Sequence, residues 1–78
     1  MKHTPQKIGV MVKIARKLMG VTQKELALTS GTGLRFIIDL EKGKPTCQLG
    51  KVLTVLQTVG IEIGFGLPRS KKEFGKKD

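Results

Sequence analysis

Apolar residues recur every three or four positions along the first part of the chain, and the pattern stops at glycine. Pro5 is tolerated in the first turn of a helix, where a missing N–H costs nothing. Gly20 suits the left-handed conformation that commonly ends a helix. The pattern therefore predicts a first helix over residues 5–19, with apolar positions Ile8, Val12, Ala15 and Met19.

A capping box marks the start of a second helix. Thr22 and Glu25 have the T-x-x-E spacing, in which each side chain accepts a hydrogen bond from the other residue's backbone N–H. We therefore expect a short helix over residues 23–29. Ser30 and Gly31 then turn the chain, since glycine adopts positive φ without strain.

A third helix is predicted over residues 34–42, because Gly43 and Pro45 end the pattern that begins there. Its inward face is expected to carry Ile37, Leu40 and Glu41. The opposite side carries a mixed set of residues, namely Arg35, Ile38, Asp39 and Lys42.

Thr46 is a candidate N-cap for a fourth helix that stops at Gly60. We expect Leu49, Val52, Leu53 and Leu56 to form its core stripe. Val55 and Val59 extend the apolar surface beyond what one face needs, which suggests a second packing partner.

The segment "IEIGFG" alternates apolar and other residues with a period of two, which predicts a β-strand at Ile61, Ile63 and Phe65. A single strand in a helical chain leaves an unpaired edge. Pairing with the same strand of a second copy across a two-fold axis would satisfy it. The predicted dimerisation surface therefore comprises Val55, Val59, Ile61, Ile63 and Phe65.

Composition narrows the class of partner. The chain of 78 residues is expected to form one domain over residues 1–66, followed by a disordered basic tail over 67–78. It carries 15 Lys and Arg against 6 Asp and Glu, a formal charge of +9, which favours a polyanionic partner. The basic residues cluster near the two ends, and the absence of Tyr and Trp argues against base stacking on single strands.

Catalysis and metal binding have little support in the sequence. His3 is the only histidine, Cys47 is the only cysteine, and the carboxylates show no clustered spacing. We therefore expect no enzyme activity, cofactor or metal. No signal peptide or bilayer-spanning apolar run is recognisable, so a cytoplasmic, nucleoid-associated location without membrane contact is expected.

Two short helices joined by a glycine-containing turn describe a helix-turn-helix. The segments "VTQKELALTSG", "IIDLEKGKPT" and "LGKVLTVLQTVGIEI" resemble the Xre-type, phage-repressor-like family, and "RFI", "DLEKGKPT" and "LGKVL" are most similar to its HipB-like antitoxin branch. The resemblance implies an all-α, repressor-like domain of four or five helices with one C-terminal β-strand that pairs across a homodimer. It also implies binding to the major groove of a palindromic operator and to a HipA-like kinase toxin.

The same resemblance assigns roles to residues. Arg16 and Glu41 correspond to a buried ion pair between the first and third helices. Gln23 corresponds to a phosphate contact, although an ordinary helix-start role is equally consistent with its position. The positions that match DNA-facing sites are Thr32, Gly33, Leu34, Arg35, Phe36 and Asp39.

This chain departs from the family pattern at Gly33, Leu34 and Ile38, where polar residues are usual. We expect Arg35 to contact a base, since arginine bonds guanine O6 and N7; the alternative is a solvent-exposed pair with Asp39. Phe36 and Ile38 fit contacts with thymine methyl groups, and Phe36 fits core packing as well. Lys42 and Lys44 fit either phosphate contacts or ordinary surface positions.

The main hypothesis is a dimeric, sequence-specific repressor that is the antitoxin of its own operon. A protein-interaction antitoxin with secondary DNA binding and a stand-alone regulator are alternatives. An RNA-binding or ribosome-associated protein is a further one, which fits the helix-turn-helix signals less well.

Overall fold

The computed structural model describes residues 4–64, which form four α-helices. These are α1 (Pro5–Met19), α2 (Gln23–Ser30), α3 (Leu34–Glu41) and α4 (Leu49–Thr58). The all-α expectation is confirmed. The bounds of α1 are those predicted, whereas α2 runs one residue further and α3 ends one residue earlier.

Local capping explains where the first two helices begin and end. The Thr4 hydroxyl accepts the Lys7 N–H at 3.1 Å, and Gly20 ends α1 with φ of 75°. The predicted capping box is confirmed, because Thr22 Oγ1 accepts from the Glu25 N–H at 3.0 Å and Glu25 Oε1 accepts from the Thr22 N–H at 2.8 Å. Both helices are therefore delimited by interactions within a few residues.

The core lies between the helices and is aliphatic. Ile37 and Leu40 of α3 contribute to it on the face predicted for them. Its buried apolar side chains are Val12, Leu26, Ala27, Ile37, Leu40, Val52, Val55, Leu56 and Val59.

Gly9 lets α1 approach the carboxyl end of α3 directly. It is buried, and a Cβ atom there would lie 2.9 Å from the Glu41 carbonyl oxygen and closer still to that of Leu40. Because those neighbours are backbone atoms, they cannot rotate away. Only glycine fits this contact, which fixes the position of α3 against α1.

The predicted core face of α4 was correct for Val52 and Leu56, which are buried, and wrong for Leu49 and Leu53. Val55 and Val59 are 0% and 9% exposed and belong to the core of the single chain, whereas Leu49 and Leu53 are 68% and 46% exposed. Val55 and Val59 therefore offer no surface to a second chain, and the apolar surface that α4 leaves in solvent is that of the two leucines.

The predicted cap of α4 was also wrong. The helix begins at Leu49, with Gln48 as the N-cap residue and no side-chain cap hydrogen bond, so Thr46 lies before it. The chain ahead of α4 first turns at Gly43, whose φ is 85°. Pro45 and Thr46 then form a further turn, so Thr46 lies three residues ahead of Leu49 and is not its N-cap residue.

Residues 61–64 follow α4 without forming a strand within the described part of this single chain. The Ile61 N–H donates to the Leu56 carbonyl at 2.9 Å and the Gly60 N–H to that of Gln57 at 3.1 Å, which is a Schellman-type helix end. Ile61 and Ile63 pack against the core and are half-buried. Phe65 and the basic tail lie outside the described residues.

Candidate nucleic-acid interface

The turn between α2 and α3 is held by its own hydrogen bonds. Gly31 ends α2 with φ of 74°, and the Thr32 N–H donates to the Ala27 carbonyl at 3.0 Å. The Ser30 hydroxyl donates to the Leu26 carbonyl at 2.8 Å and lies 2.9 Å from the Thr32 hydroxyl. The two helices are therefore joined by an ordered turn with a fixed geometry.

The third helix, α3, separates an inward face from an outward one. Ile37 and Leu40 are buried, whereas the Arg35 side chain is 79% exposed. Gly33 precedes the helix as its N-cap residue without a side-chain hydrogen bond, and a Cβ atom there would meet nothing within 4 Å. The fold itself therefore does not require glycine at position 33, and the beginning of α3 is open to solvent together with Leu34.

Asp39 lies between two cationic side chains. Its Oδ1 is 3.3 Å from Arg35 Nε and its Oδ2 is 3.5 Å from Lys44 Nζ. The i,i+4 pair considered for Arg35 is thus present in the free chain. Asp39 is 17% exposed, but the Arg35 end of the pair is in solvent, and an i,i+4 pair of this kind contributes only a few tenths of a kcal/mol.

Phe36 is half-buried and packs against the core, whereas the outward-facing residues next to it on α3 do not. Lys51 Nζ of α4 lies 5.8 Å from the centre of the Phe36 ring, within cation–π range. Phe36 therefore contributes to the contact between α3 and α4. Ile38 is half-buried, and its backbone carbonyl accepts the Lys42 N–H at 3.1 Å.

The ion pair expected between Arg16 and Glu41 is present and buried. Arg16 Nε donates to Glu41 Oε2 at 2.7 Å, and the two side chains are 9% and 4% exposed. Arg16 Nη1 also donates to the Val21 carbonyl at 2.8 Å. The hydrogen bond with Glu41 raises the pKa of Arg16, and burial lowers it to a smaller extent. The guanidinium therefore remains charged and joins α1, the α1–α2 turn and α3.

Gln23 is attached to the same ion pair. Its side-chain amide donates to Glu41 Oε1 at 3.1 Å, a contact that sequence reasoning missed. The only signal for this contact in the local sequence was the position of Gln23 in the first turn of α2, at the helix start that the capping box marks. The amide is half-buried, so the first turn of α2 is tied to the end of α3.

The structure brings together most of the predicted DNA-facing residues. Thr32, Gly33, Leu34 and Arg35 are consecutive at the start of α3, with Asp39 one turn later. Lys42 is exposed at the other end, where it follows α3 as its C-cap residue, and Lys44 pairs with Asp39.

Cys47 is half-buried in the segment before α4. Burial and the nearby Asp39 carboxylate raise the pKa of its thiol, and Lys44 offsets this in part. Among residues 4–64, no group of three or more His, Cys, Asp or Glu side chains is placed to hold a metal ion. Within the same range, no helix has the length and apolarity needed to cross a bilayer.

Known proteins resemble the chain in sequence and in fold. An uncharacterized HTH-type transcriptional regulator of Sinorhizobium fredii, y4mF, is 53% identical over 70 residues, covering 90% of this chain and 92% of that protein. No family model matches.

Solved structures of HipB share the fold. The HipB chain of a HipB–O4 20mer complex has a TM-score of 0.75 and 22% identity, covering 88% of this chain and 97% of that one. A chain of a HipA–HipB–O2–O3 complex has a TM-score of 0.76 at the same identity and the same coverage. The shared fold thus extends over nearly all of that chain. Because more than half of the aligned residues are identical to those of the Sinorhizobium protein, the chain belongs to the HTH-type transcriptional regulators.

Proposed function

We propose that this chain is a dimeric, sequence-specific DNA-binding repressor of the HipB-like type, with α3 in the major groove of a palindromic operator. The observation that carries the proposal is the division of α3, which buries Ile37 and Leu40 while Arg35 extends into solvent beside an open helix start. A fold similar to HipB and a formal charge of +9 support it.

Within this proposal Arg35 reads a base and its neighbours position the helix. Arg35 leaves a weak i,i+4 pair with Asp39, which keeps Lys44 as a partner, so little free energy opposes the transfer of Arg35 to guanine O6 and N7. Gly33 has no packing neighbour at its Cβ position, which allows the backbone to approach DNA closely. Thr32, Lys42 and Lys44 are proposed to contact phosphates.

Gln23 is proposed to contact a phosphate near the amino terminus of α2. Its amide carries two N–H groups, and the bond to Glu41 occupies one of them. The second N–H can serve a phosphate oxygen while the first remains on Glu41. DNA contact at Gln23 is therefore compatible with the ion pair.

Competition binding with operator and scrambled duplexes tests the DNA-reading proposal. At physiological salt we expect a preference of at least ~10³-fold for the operator. Arg35→Ala should reduce the preference at one base position by about 1–3 kcal/mol, roughly 5- to 150-fold. Lys13→Ala removes one exposed positive charge from α1 and is the matched control, expected to keep the preference. Unchanged base preference in Arg35→Ala would rule out the base contact.

The dimer is proposed to form through residues 61–64, with the exposed leucines of α4 as added apolar surface. Ile61 and Ile63 are half-buried, and Leu49 and Leu53 remain in solvent in the single chain. Leu53→Glu should shift the molecule towards the monomer in sedimentation, and Leu28→Glu on α2 is a control of equal chemistry. An unchanged dimer in Leu53→Glu would exclude α4 from the interface.

A partner-holding role is the second candidate function, favoured by the fold similarity to HipB, which occurs with HipA in a solved complex. We propose that the chain also binds a kinase-type toxin and represses the operon that encodes both. Co-purification of the tagged chain with the product of the neighbouring gene tests this. A failure of the two proteins to associate at micromolar concentration would reject it.

A further inference from the structure

A second apolar face runs along α1 on the side away from the core. Val10, Ile14 and Leu18 follow each other at four-residue steps, and Met11 lies beside them. We call these four residues the α1 stripe. Their side chains are between 49% and 83% exposed. Since α1 buries Gly9, Val12 and Arg16 on its opposite side, the helix is apolar on two faces.

Within residues 4–64, the α1 stripe is not part of the core. The core residues that α1 supplies lie on the other face, and the residues proposed for DNA contact lie on α2, α3 and the segment after α3. Exposed apolar rows of this kind on a small soluble protein are typical of interaction surfaces. A ridge of residues at four-residue spacing is also the surface that packs against another helix.

The positive charge beside the α1 stripe indicates the kind of partner that fits it. Lys13 and Lys17 are exposed and border the α1 stripe, and α1 contains no Asp or Glu. A second copy packing on this face would place the same lysines against each other, which is unfavourable. A bilayer surface is a poorer fit, because α1 contains no aromatic residue to anchor it in the interface.

We infer that the α1 stripe is a docking surface for an amphipathic helix of a partner protein whose apolar residues are flanked by carboxylates. The apolar side chains of that helix would cover Ile14 and Leu18, and its carboxylates would meet Lys13 and Lys17. The inference rests on the proposed partner-holding function and names the surface that performs it. Because this surface shares no residue with the DNA-facing set, the partner and DNA can occupy the chain together.

The test uses a fluorescent peptide of about 20 residues, long enough to form a helix, with leucines at four- and three-residue steps flanked by glutamates. A second peptide replaces the glutamates with lysines. The full chain should bind the acidic peptide at least ~10-fold more tightly than the basic one by fluorescence anisotropy. Equal affinity for the two peptides would overturn the inference.

Variants of the full chain locate the surface. Ile14→Glu should weaken binding of the acidic peptide at least ~10-fold, while Leu28→Glu, also an exposed leucine made acidic, should not change it. Leu18→Glu replaces Ile14→Glu if circular dichroism shows that the latter does not fold. Retained peptide binding in both α1 variants would overturn the inference.

Three further readouts separate this inference from its competitors. Binding to phosphatidylglycerol vesicles without binding to the acidic peptide would overturn it in favour of a membrane, and loss of the dimer in Ile14→Glu would overturn it in favour of a second copy. Ile14→Glu should keep operator binding, whereas Arg35→Ala should lose operator preference and keep peptide binding. Failure of the DNA proposal and failure of the docking inference are thus distinguished.

Discussion

The contact of Gly9 with α3 predicts that two glycine-to-alanine substitutions have opposite effects on stability. In a helix interior, alanine is normally favoured over glycine by roughly 0.5–1 kcal/mol. Gly50, in the first turn of α4, has nothing within 4 Å of its Cβ position, so Gly50→Ala should raise the free energy of unfolding by up to about 0.5 kcal/mol, the lower end of that range. Gly9 instead meets the carbonyl oxygens of Leu40 and Glu41.

The cost at position 9 follows from this geometry. A Cβ atom there would lie 2.9 Å from the Glu41 oxygen, with the Leu40 oxygen closer, so α1 and α3 must separate by some tenths of an ångström or more. Overpacking of this kind costs about 1–3 kcal/mol, which exceeds the gain in helix propensity. Gly9→Ala should therefore lower the free energy of unfolding by roughly 1–2 kcal/mol and the Tm by about 4–16 °C.

Urea denaturation followed by circular dichroism measures both variants against the parent chain. Protein concentration must be equal in all three samples, because the proposed dimerisation would contribute to apparent stability. If Gly9→Ala stabilised the chain as much as Gly50→Ala does, the close approach of α1 to α3 would not exist as described. Near-zero changes in the free energy of unfolding for both variants would also contradict it.

Three other perturbations test the described contacts. Glu41→Ala leaves the Arg16 guanidinium buried with only a carbonyl partner, so the free energy of unfolding should fall by about 3 kcal/mol in a denaturant titration. Glu41→Gln should lose less. Equal losses in the two variants would show that the charge of Glu41 does not stabilise the fold. Thr22→Ala removes half of the capping box and should cost about 1 kcal/mol, seen as a Tm lowered by roughly 4–8 °C, and an unchanged Tm would contradict the cap. Because the pKa of Cys47 is raised, its thiolate is scarcer than that of free cysteine at the same pH, and alkylation by iodoacetamide at pH 8 should be slower. The folded chain then holds the thiol proton above the pH at which the unfolded chain releases it, so stability should decrease as pH rises through that range. Alkylation as fast as that of free cysteine would refute the shift.

The sequence predicted best those features that depend on residues close together in the chain. Helix α1, the capping box at Thr22 and Glu25, and the turn at Gly31 all follow from interactions over at most five residues. The inward positions of Ile37 and Leu40 followed from helical spacing alone. These elements were predicted correctly because their causes are local.

The fourth helix shows where local reasoning ends. Its apolar residues form two overlapping rows, one through Leu49 and Leu53 and the other through Val55 and Val59, and both satisfy helical spacing. The choice between them depends on where α2 and residues 61–63 pack, which periodicity does not contain. The start of α4 after Thr46 likewise depends on the path of the whole connection between α3 and α4, in which Pro45 and Thr46 form a turn.

For the candidate site too, contacts between residues far apart in the sequence could not be predicted. In the sequence, a glycine inside a helical pattern, such as Gly9, indicates only a weak helix former. Its contact with a neighbouring backbone is visible only in the structure. The hydrogen bond from Gln23 to Glu41 joins residues that no shared motif connects. The outward residues of α3 could be named from the resemblance, and the roles proposed for them depend on DNA, which is not part of the chain.

The Gly9 contact also bears on how this protein can diverge. Helix α3 is held to α1 by backbone carbonyl groups and by Glu41, none of which belongs to its outward face. If α3 reads an operator as proposed, a substitution at Arg35 can change which operator is recognised without changing how the helix is mounted. A duplicated gene could then acquire a new regulatory target through a codon on that face, while position 9 continues to set the stability of the fold.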